Sequence, residues 1–274
     1  MAFDRIVVVD WSANARPKRG ADSIWSCALR AGDGTFEVHN HPTRRIAADR
    51  VRDLLVGTTG ERVLVGCDFP YGFPAGTAAA AGLAAPGEPA WTATWWHLVA
   101  ELVDEPNNRN NRFAVAAAVN ARISDGVGPF WGAPPARVTE SLAATKAPGF
   151  PHVHRTGTLP EHRLAEVAVR ERTGRRPFPI WQLLGAGSVG SQALTGIPVV
   201  AGWRHDPALA ERSLVWPFET GLALPDVHPT TGATDLIVHA EIWPSSIDVD
   251  LTVHEVRDAA QVICLARHLA ALDE

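Results

Sequence analysis

Four acidic residues stand where a carboxylate can do chemistry. Asp10 closes the apolar run Arg5-Ile-Val-Val-Val-Asp10, and Asp68 closes a second, Arg62-Val-Leu-Val-Gly-Cys-Asp68. Glu241 lies near the end of a third, Asp235-Leu-Ile-Val-His-Ala-Glu241-Ile-Trp243, and Asp258 falls in His254-Glu-Val-Arg-Asp258-Ala. One Asp after a strand is ordinarily a turn or helix cap. Two of them at the ends of parallel strands occupy the sheet edge where α/β proteins bind ligands. His254 and Asp258 are spaced i, i+4 and share one face of a helix. That face leads into the stripe Val262, Leu265, Leu269, whose packing on the sheet would turn Asp258 inward. Acids gathered away from water need a compensating cation. Mg²⁺ or Mn²⁺, hard ions that take carboxylate oxygens and keep waters, suits such a set. Two ions about 3.5–4 Å apart would activate water and stabilise a leaving oxygen in phosphoryl transfer.

The elements that must position these acids are read from hydrophobic period. Residues 5–10 are a continuous β-branched run, the pattern of a strand buried on both faces, and residues 62–68 are a second buried strand. Between them, residues 23–29 and 35–39 follow turn-rich connections, so the first three strands form an antiparallel meander. Apolar residues at 47, 51, 54 and 55 mark a helix over 46–56 that stops at Gly57. A strand reached through that helix lies parallel to the first. With the strand at 235–243 and a helix over 252–272, the expectation is an α/β fold: a mixed five-stranded sheet flanked by helices. Residues 1–72 and 235–274 make this core. Residues 73–234, rich in Pro, Gly and helical stretches, are a large, mostly helical insertion forming a lid or substrate platform.

Composition narrows the function. A chain of 274 residues, 46% hydrophobic and 20% charged, is an ordinary globular protein that buries enough surface to fold without staples. Its formal charge of −5 excludes a uniformly basic nucleic-acid coat and leaves room only for a local basic cleft. Cys27, Cys67 and Cys264 are scattered and odd in number, the usage of a reducing compartment. No leader pattern opens the sequence and no apolar run reaches membrane-spanning length, so a cytoplasmic protein without membrane contact is expected.

Taken together, these residues resemble a family. Asp10 on a first strand before a meander, Asp68 on the fourth strand and an inward Asp on a late helix are similar to the ribonuclease H-like fold. The His254 to Asp258-Ala segment resembles the final-helix motif of Holliday-junction resolvases. With Asp-Phe-Pro-x-Gly at 68–72 and Glu-x-x-Pro-Ser at 241–245, the pattern is similar to an uncharacterised family of predicted nucleases of this fold. The resemblance covers residues 4–72 and 235–272. It implies that Asp10, Asp68, Glu241 and Asp258 ligate Mg²⁺ or Mn²⁺ and that His254 shuttles protons or contacts phosphate. A nucleic acid or nucleotide-like phosphate would be the substrate of such a hydrolase.

Arg16, Lys18 and Arg19, in the turn after Asp10, are candidates for phosphate contact, as are Arg112 and Arg163. Trp11, Trp131 and Trp243 adjoin the proposed site segments, and Trp11 is a candidate for stacking on a base. Asn107-Asn-Arg-Asn-Asn-Arg112 reads either as a clamp or as a solvated helix cap. A competing reading rests on Gly185-Ala-Gly187-Ser-Val-Gly190, which satisfies the dinucleotide-binding pattern if a strand precedes it and a helix follows. Under that alternative Gly185, Gly187 and Gly190 bind a nucleotide, in a role such as cofactor biosynthesis. Sugar-kinase chemistry would need a glycine-rich hairpin after the first Asp, where Trp11 stands.

Overall fold

A computed structural model describes residues 3–146 and 149–272. In chain order the elements are β1 (Arg5–Asp10), β2 (Ile24–Arg30), β3 (Phe36–His41), α1 (Arg44–Val56), β4 (Val63–Cys67), α2 (Thr77–Ala80), α3 (Ala90–Glu101), α4 (Arg112–Ile123), β5 (His152–His154), β6 (Gly157–Leu159), α5 (Leu164–Thr173), α6 (Val189–Arg204), β7 (Ser213–Trp216), β8 (Ile237–Glu241) and α7 (Arg257–Leu272). The fold is α/β. The chain divides into a sheet unit, residues up to 69, 105–109 and from 199 onwards, and a second unit, residues 70–104 and 110–198.

The sheet unit holds a six-stranded mixed sheet in the order β3-β2-β1-β4-β8-β7. β1, β2 and β3 form the antiparallel meander, while β1, β4, β8 and β7 run parallel. Ile6, Val7, Val8 and Val9 of β1 are at most 1% exposed, which is why this run carries no polar alternation. The sheet has one strand more than the sequence pattern indicates. β7 is only Ser-Leu-Val-Trp, a run too short to stand out within a Pro- and Gly-rich stretch.

Helices cover the two faces. On one, Ala259, Val262, Ile263 and Ala266 of α7 pack on Ile6 and Val8 of β1 and on Trp25, Cys27 and Leu29 of β2. On the other, α1 buries Ala47, Val51 and Leu55. The indole of Trp203, near the end of α6, donates to Ala48 O (3.0 Å) and stacks on the fully buried His239 of β8. α6 continues through Pro198, although a proline inside a helix removes one of its hydrogen bonds.

The second unit contains α2 to α5 and the β5–β6 hairpin. Its interior is aromatic: Trp95 and Trp181 are almost wholly buried, with ring contacts Trp91–Trp95 at 5.0 Å and Phe130–Trp181 at 5.1 Å. Among the described residues no helix is long and apolar enough to cross a membrane.

Because Ile263 is 1% exposed at the centre of the α7 contact, Ile263→Ala is expected to lower the unfolding free energy by about 2–5 kcal/mol. Urea titration followed by circular dichroism would measure that loss.

Candidate active site

Strand register brings two of the four acids together. Val9 pairs with Cys67 in the parallel β1–β4 ladder, so Asp10 and Asp68 occupy the next row, and Asp68 N donates to Val9 O at 3.2 Å. Both side chains fall on the α7 face, in phase with Ile6 and Val8. Their carboxyl groups are hydrogen-bonded to one another and half-buried. Asp68 Oδ1 also accepts the Trp11 backbone N–H at 2.6 Å.

Two carboxylates in contact cannot both hold full negative charge at ordinary cost. Burial, then the charge and hydrogen bond of Asp68, then the charges of Asp258 and Asp22, push Asp10 well above the usual carboxylate range. Burial also raises Asp68, to about 6, against the lowering effect of the Trp11 amide and the Asp10 hydrogen bond. Both shifts favour a single proton held between the two carboxyls.

Asp258 is the third member. It lies in the first turn of α7, where a negative side chain is favoured by the helix dipole, and its Oδ2 accepts the Asp22 N–H at 2.6 Å. Its charge raises both Asp10 and Asp68. Asp10, Asp68 and Asp258 thus form one electrostatic cluster.

Glu241 and His254 are placed differently. Glu241 pairs with Cys67, one residue short of the Asp10–Asp68 row. Strand alternation then puts its side chain on the opposite sheet face, while its neighbour Ile242 packs on the α7 side. The last helix begins at Arg257, not at 252, because Asp250 Oδ1 accepts the N–H and hydroxyl of Thr252 and holds a turn there. His254 therefore precedes the helix and does not share a helical face with Asp258. Its Nδ1 accepts Val256 N–H at 2.9 Å, and its ring meets Trp25 edge-on at 5.3 Å. Among the described residues no group of three or more His, Cys, Asp or Glu is arranged to hold one metal ion.

Several candidate substrate contacts are structural. Trp11 is 2% exposed and packs 5.8 Å from Phe69, so its face is closed to a base. Arg112, 9% exposed, donates to Ser191 Oγ (2.8 Å) and Asn110 Oδ1 (2.8 Å). Arg163 is ion-paired with Glu166 at the start of α5 and donates to Gly72 O at 3.3 Å. By contrast Arg16, Lys18 and Arg19 are exposed on the loop after Asp10. Lys18 pairs with Asp22 (3.2 Å) and Arg19 donates to Asn40 O (2.9 Å).

The glycine segment lacks the setting that a dinucleotide site requires. No strand leads into Gly185; only an isolated bridge joins Gln182 to Trp131. A Cβ at Gly187 would stand 2.2 Å from the Phe178 ring, and one at Gly190 would stand 2.2 Å from Ile180 O. The glycines admit the chain's own atoms, and Gly190 N–H is spent on Gln182 O.

Two site-supporting residues escape the sequence reading. Arg44, 1% exposed, donates to Ser12 O (3.0 Å), Asn14 O (2.8 Å) and Asn108 O (2.7 Å). Asn108, 3% exposed, accepts Arg44 N–H (2.9 Å) and donates to Arg16 O (3.2 Å). Together they fasten the loop that leaves Asp10. The signal was the α1 stripe itself: Arg44 precedes Ala47, Val51 and Leu55 at helical spacing, but a helix begun at 46 leaves it out.

The chain matches no protein-family model, no curated protein and no solved structure.

Two outcomes follow from this geometry. A carboxyl whose pKa is higher folded than unfolded favours the folded state while protonated, and that advantage is lost as pH rises through the folded value. Stability should thus fall between pH 4 and above pH 6, and Asp68→Asn should remove about 2 kcal/mol of that fall, read from urea midpoints across the range. Arg44→Met leaves one buried and two part-buried carbonyls without their donor, and the same assay should register a loss of about 3 kcal/mol at pH 7.

Proposed function

We propose that this protein is a divalent-metal-dependent hydrolase of phosphodiester or phosphate bonds in a nucleic acid or nucleotide, on a ribonuclease H-like sheet. The observation that carries the reading is the Asp10–Asp68 carboxyl pair, hydrogen-bonded and half-buried at the ends of adjacent parallel strands, with the charge of Asp258 acting on both. The donor chemistry fits a hard cation. Mg²⁺ is commonly held by one or two carboxylates and completes its shell with water and substrate phosphate, so a cage of three protein ligands is not required. Asp10 and Asp68 would hold the ion in place of their shared proton, with Asp258 adding negative charge nearby. A bound Mg²⁺ or Mn²⁺ supplies a polarised phosphoryl oxygen and a more acidic water.

The chain's own groups have separable tasks. The Trp11 amide fixes Asp68, and the Asp22 amide fixes Asp258, so neither carboxylate has to be ordered when substrate arrives. Arg16, Lys18 and Arg19 are exposed on the loop between Asp10 and Asp22, and in this reading they would meet substrate phosphates. Glu241, on the other face, has no part in this reading. The three cysteines are free, in keeping with a reducing, cytoplasmic setting.

Calorimetric titration with Mn²⁺ tests the reading, with bis(p-nitrophenyl) phosphate and short single-stranded oligonucleotides as substrates. The wild-type chain should bind Mn²⁺ and cleave at least one substrate, and Asp10→Asn and Asp68→Asn should each lose about 100-fold or more in rate while remaining folded. A wild-type chain that binds no Mn²⁺ at millimolar concentration, or an Asp68→Asn variant of undiminished activity, would end it.

A further inference from the structure

Outside the carboxylate cluster, serine hydroxyls meet imidazole rings at three buried places among the described residues, one of them Ser213 Oγ at 3.3 Å from His239 Nε2 in the sheet unit. Ser26 Oγ lies 2.7 Å from His41 Nε2 within the sheet unit. In the second unit, Ser124 Oγ lies 2.6 Å from His152 Nε2, both residues being less than a tenth exposed. Ser124 faces a space that a ligand can enter. It lines an open cavity of about 530 Å³, together with Asp125, Thr139, Glu140, Ser141 and Arg155.

Local structure holds the pair in place. Ser124 is the residue after α4, its N–H bonded to Asn120 O and its backbone extended, so the side chain leaves the helix axis. His152 opens β5. Between β5 and β6, Arg155 reaches back to the end of α4, donating to Arg122 O (2.6 Å) and to Asp125 Oδ1 (2.9 Å). A guanidinium there complements the partial negative charge of the helix C-terminus. The hairpin, and with it the imidazole, is pinned to the helix that carries the serine. Burial and the neighbouring His154 hold His152 below the ordinary imidazole range, so the ring is neutral at pH 7, the state a general base requires.

We propose that Ser124 and His152 are a nucleophile and base that hydrolyse small carboxylic esters of polar alcohols in this cavity, independently of the carboxylate site. Ser124 Oγ attacks the acyl carbon while its proton passes to His152 Nε2. The carbon–oxygen bond to the alcohol then breaks, and the departing oxygen takes the proton from Nε2. Water attacks the acyl-serine, gives its proton to the same nitrogen, and the carboxylic acid leaves as the proton returns to Ser124 Oγ. The lining fits a polar substrate, since it presents three hydroxyls, two carboxylates and one guanidinium.

The test uses the whole chain, a fluorophosphonate probe with mass-spectrometric mapping, and p-nitrophenyl acetate. Wild type should carry the label on Ser124 and release a burst of about one nitrophenolate per chain. Ser124→Ala should lose both, and His152→Gln, which keeps a hydrogen-bonding side chain, should label at least about 100-fold more slowly. The proposal is overturned if folded wild-type chain takes no label on Ser124, if the label falls on Ser26 instead, or if His152→Gln labels at the wild-type rate.

Discussion

The parallel pairing of β1 and β4 sets two like charges side by side, and much of the sheet unit answers that constraint. Neighbouring strands stand about 4.8 Å apart, so residues in one row on one face cannot avoid each other. Val9 opposite Cys67 therefore commits Asp10 and Asp68 to contact. Each surrounding feature offsets or fixes the charge. The Trp11 amide is turned onto Asp68, and the two carboxyls are hydrogen-bonded to one another. The Asp22 amide is turned onto Asp258. The loop between Asp10 and Asp22 is thereby held at both ends by groups of the cluster, and in its middle by Arg44 and Asn108.

How much of this was readable depended on whether the signal was local. The strands before Asp10 and Asp68 are unbroken apolar runs, and their parallel relation follows from one intervening helix, so the pairing of these two acids was legible. Asp258 was also placed correctly beside them, though for an imperfect reason: the helix starts five residues later than its apolar period suggests, since the Asp250–Thr252 turn competes with it. Glu241 was not legible. Its side of the sheet depends on the β4–β8 register, and a shift of one residue reverses the face.

The arginines and Trp11 illustrate the same limit. Exposed and buried arginines look alike in sequence, because what buries them is a set of carbonyls and acids from elsewhere in the chain. Arg112 finds Ser191 and Arg44 finds Asn108, each far away in sequence. Trp11 follows a candidate catalytic residue, yet it serves the site through its backbone while its indole packs on Phe69. The glycine pattern failed for the complementary reason: the spacing was present, but the strand that gives it meaning was not.

The strand order also dictates when the cluster is completed. β8 is inserted between β4 and β7, and α7 lies over β1 and β2, so the segments flanking the Asp10–Asp68 pair both come from the far end of the sequence. The face that Ile6, Val8, Trp25 and Cys27 present to α7 gains its cover only once residues 257–272 have been made. Closing that face needs contacts of very high sequence separation, which slows folding. The nascent chain must therefore wait, exposed, for the helix that brings Asp258.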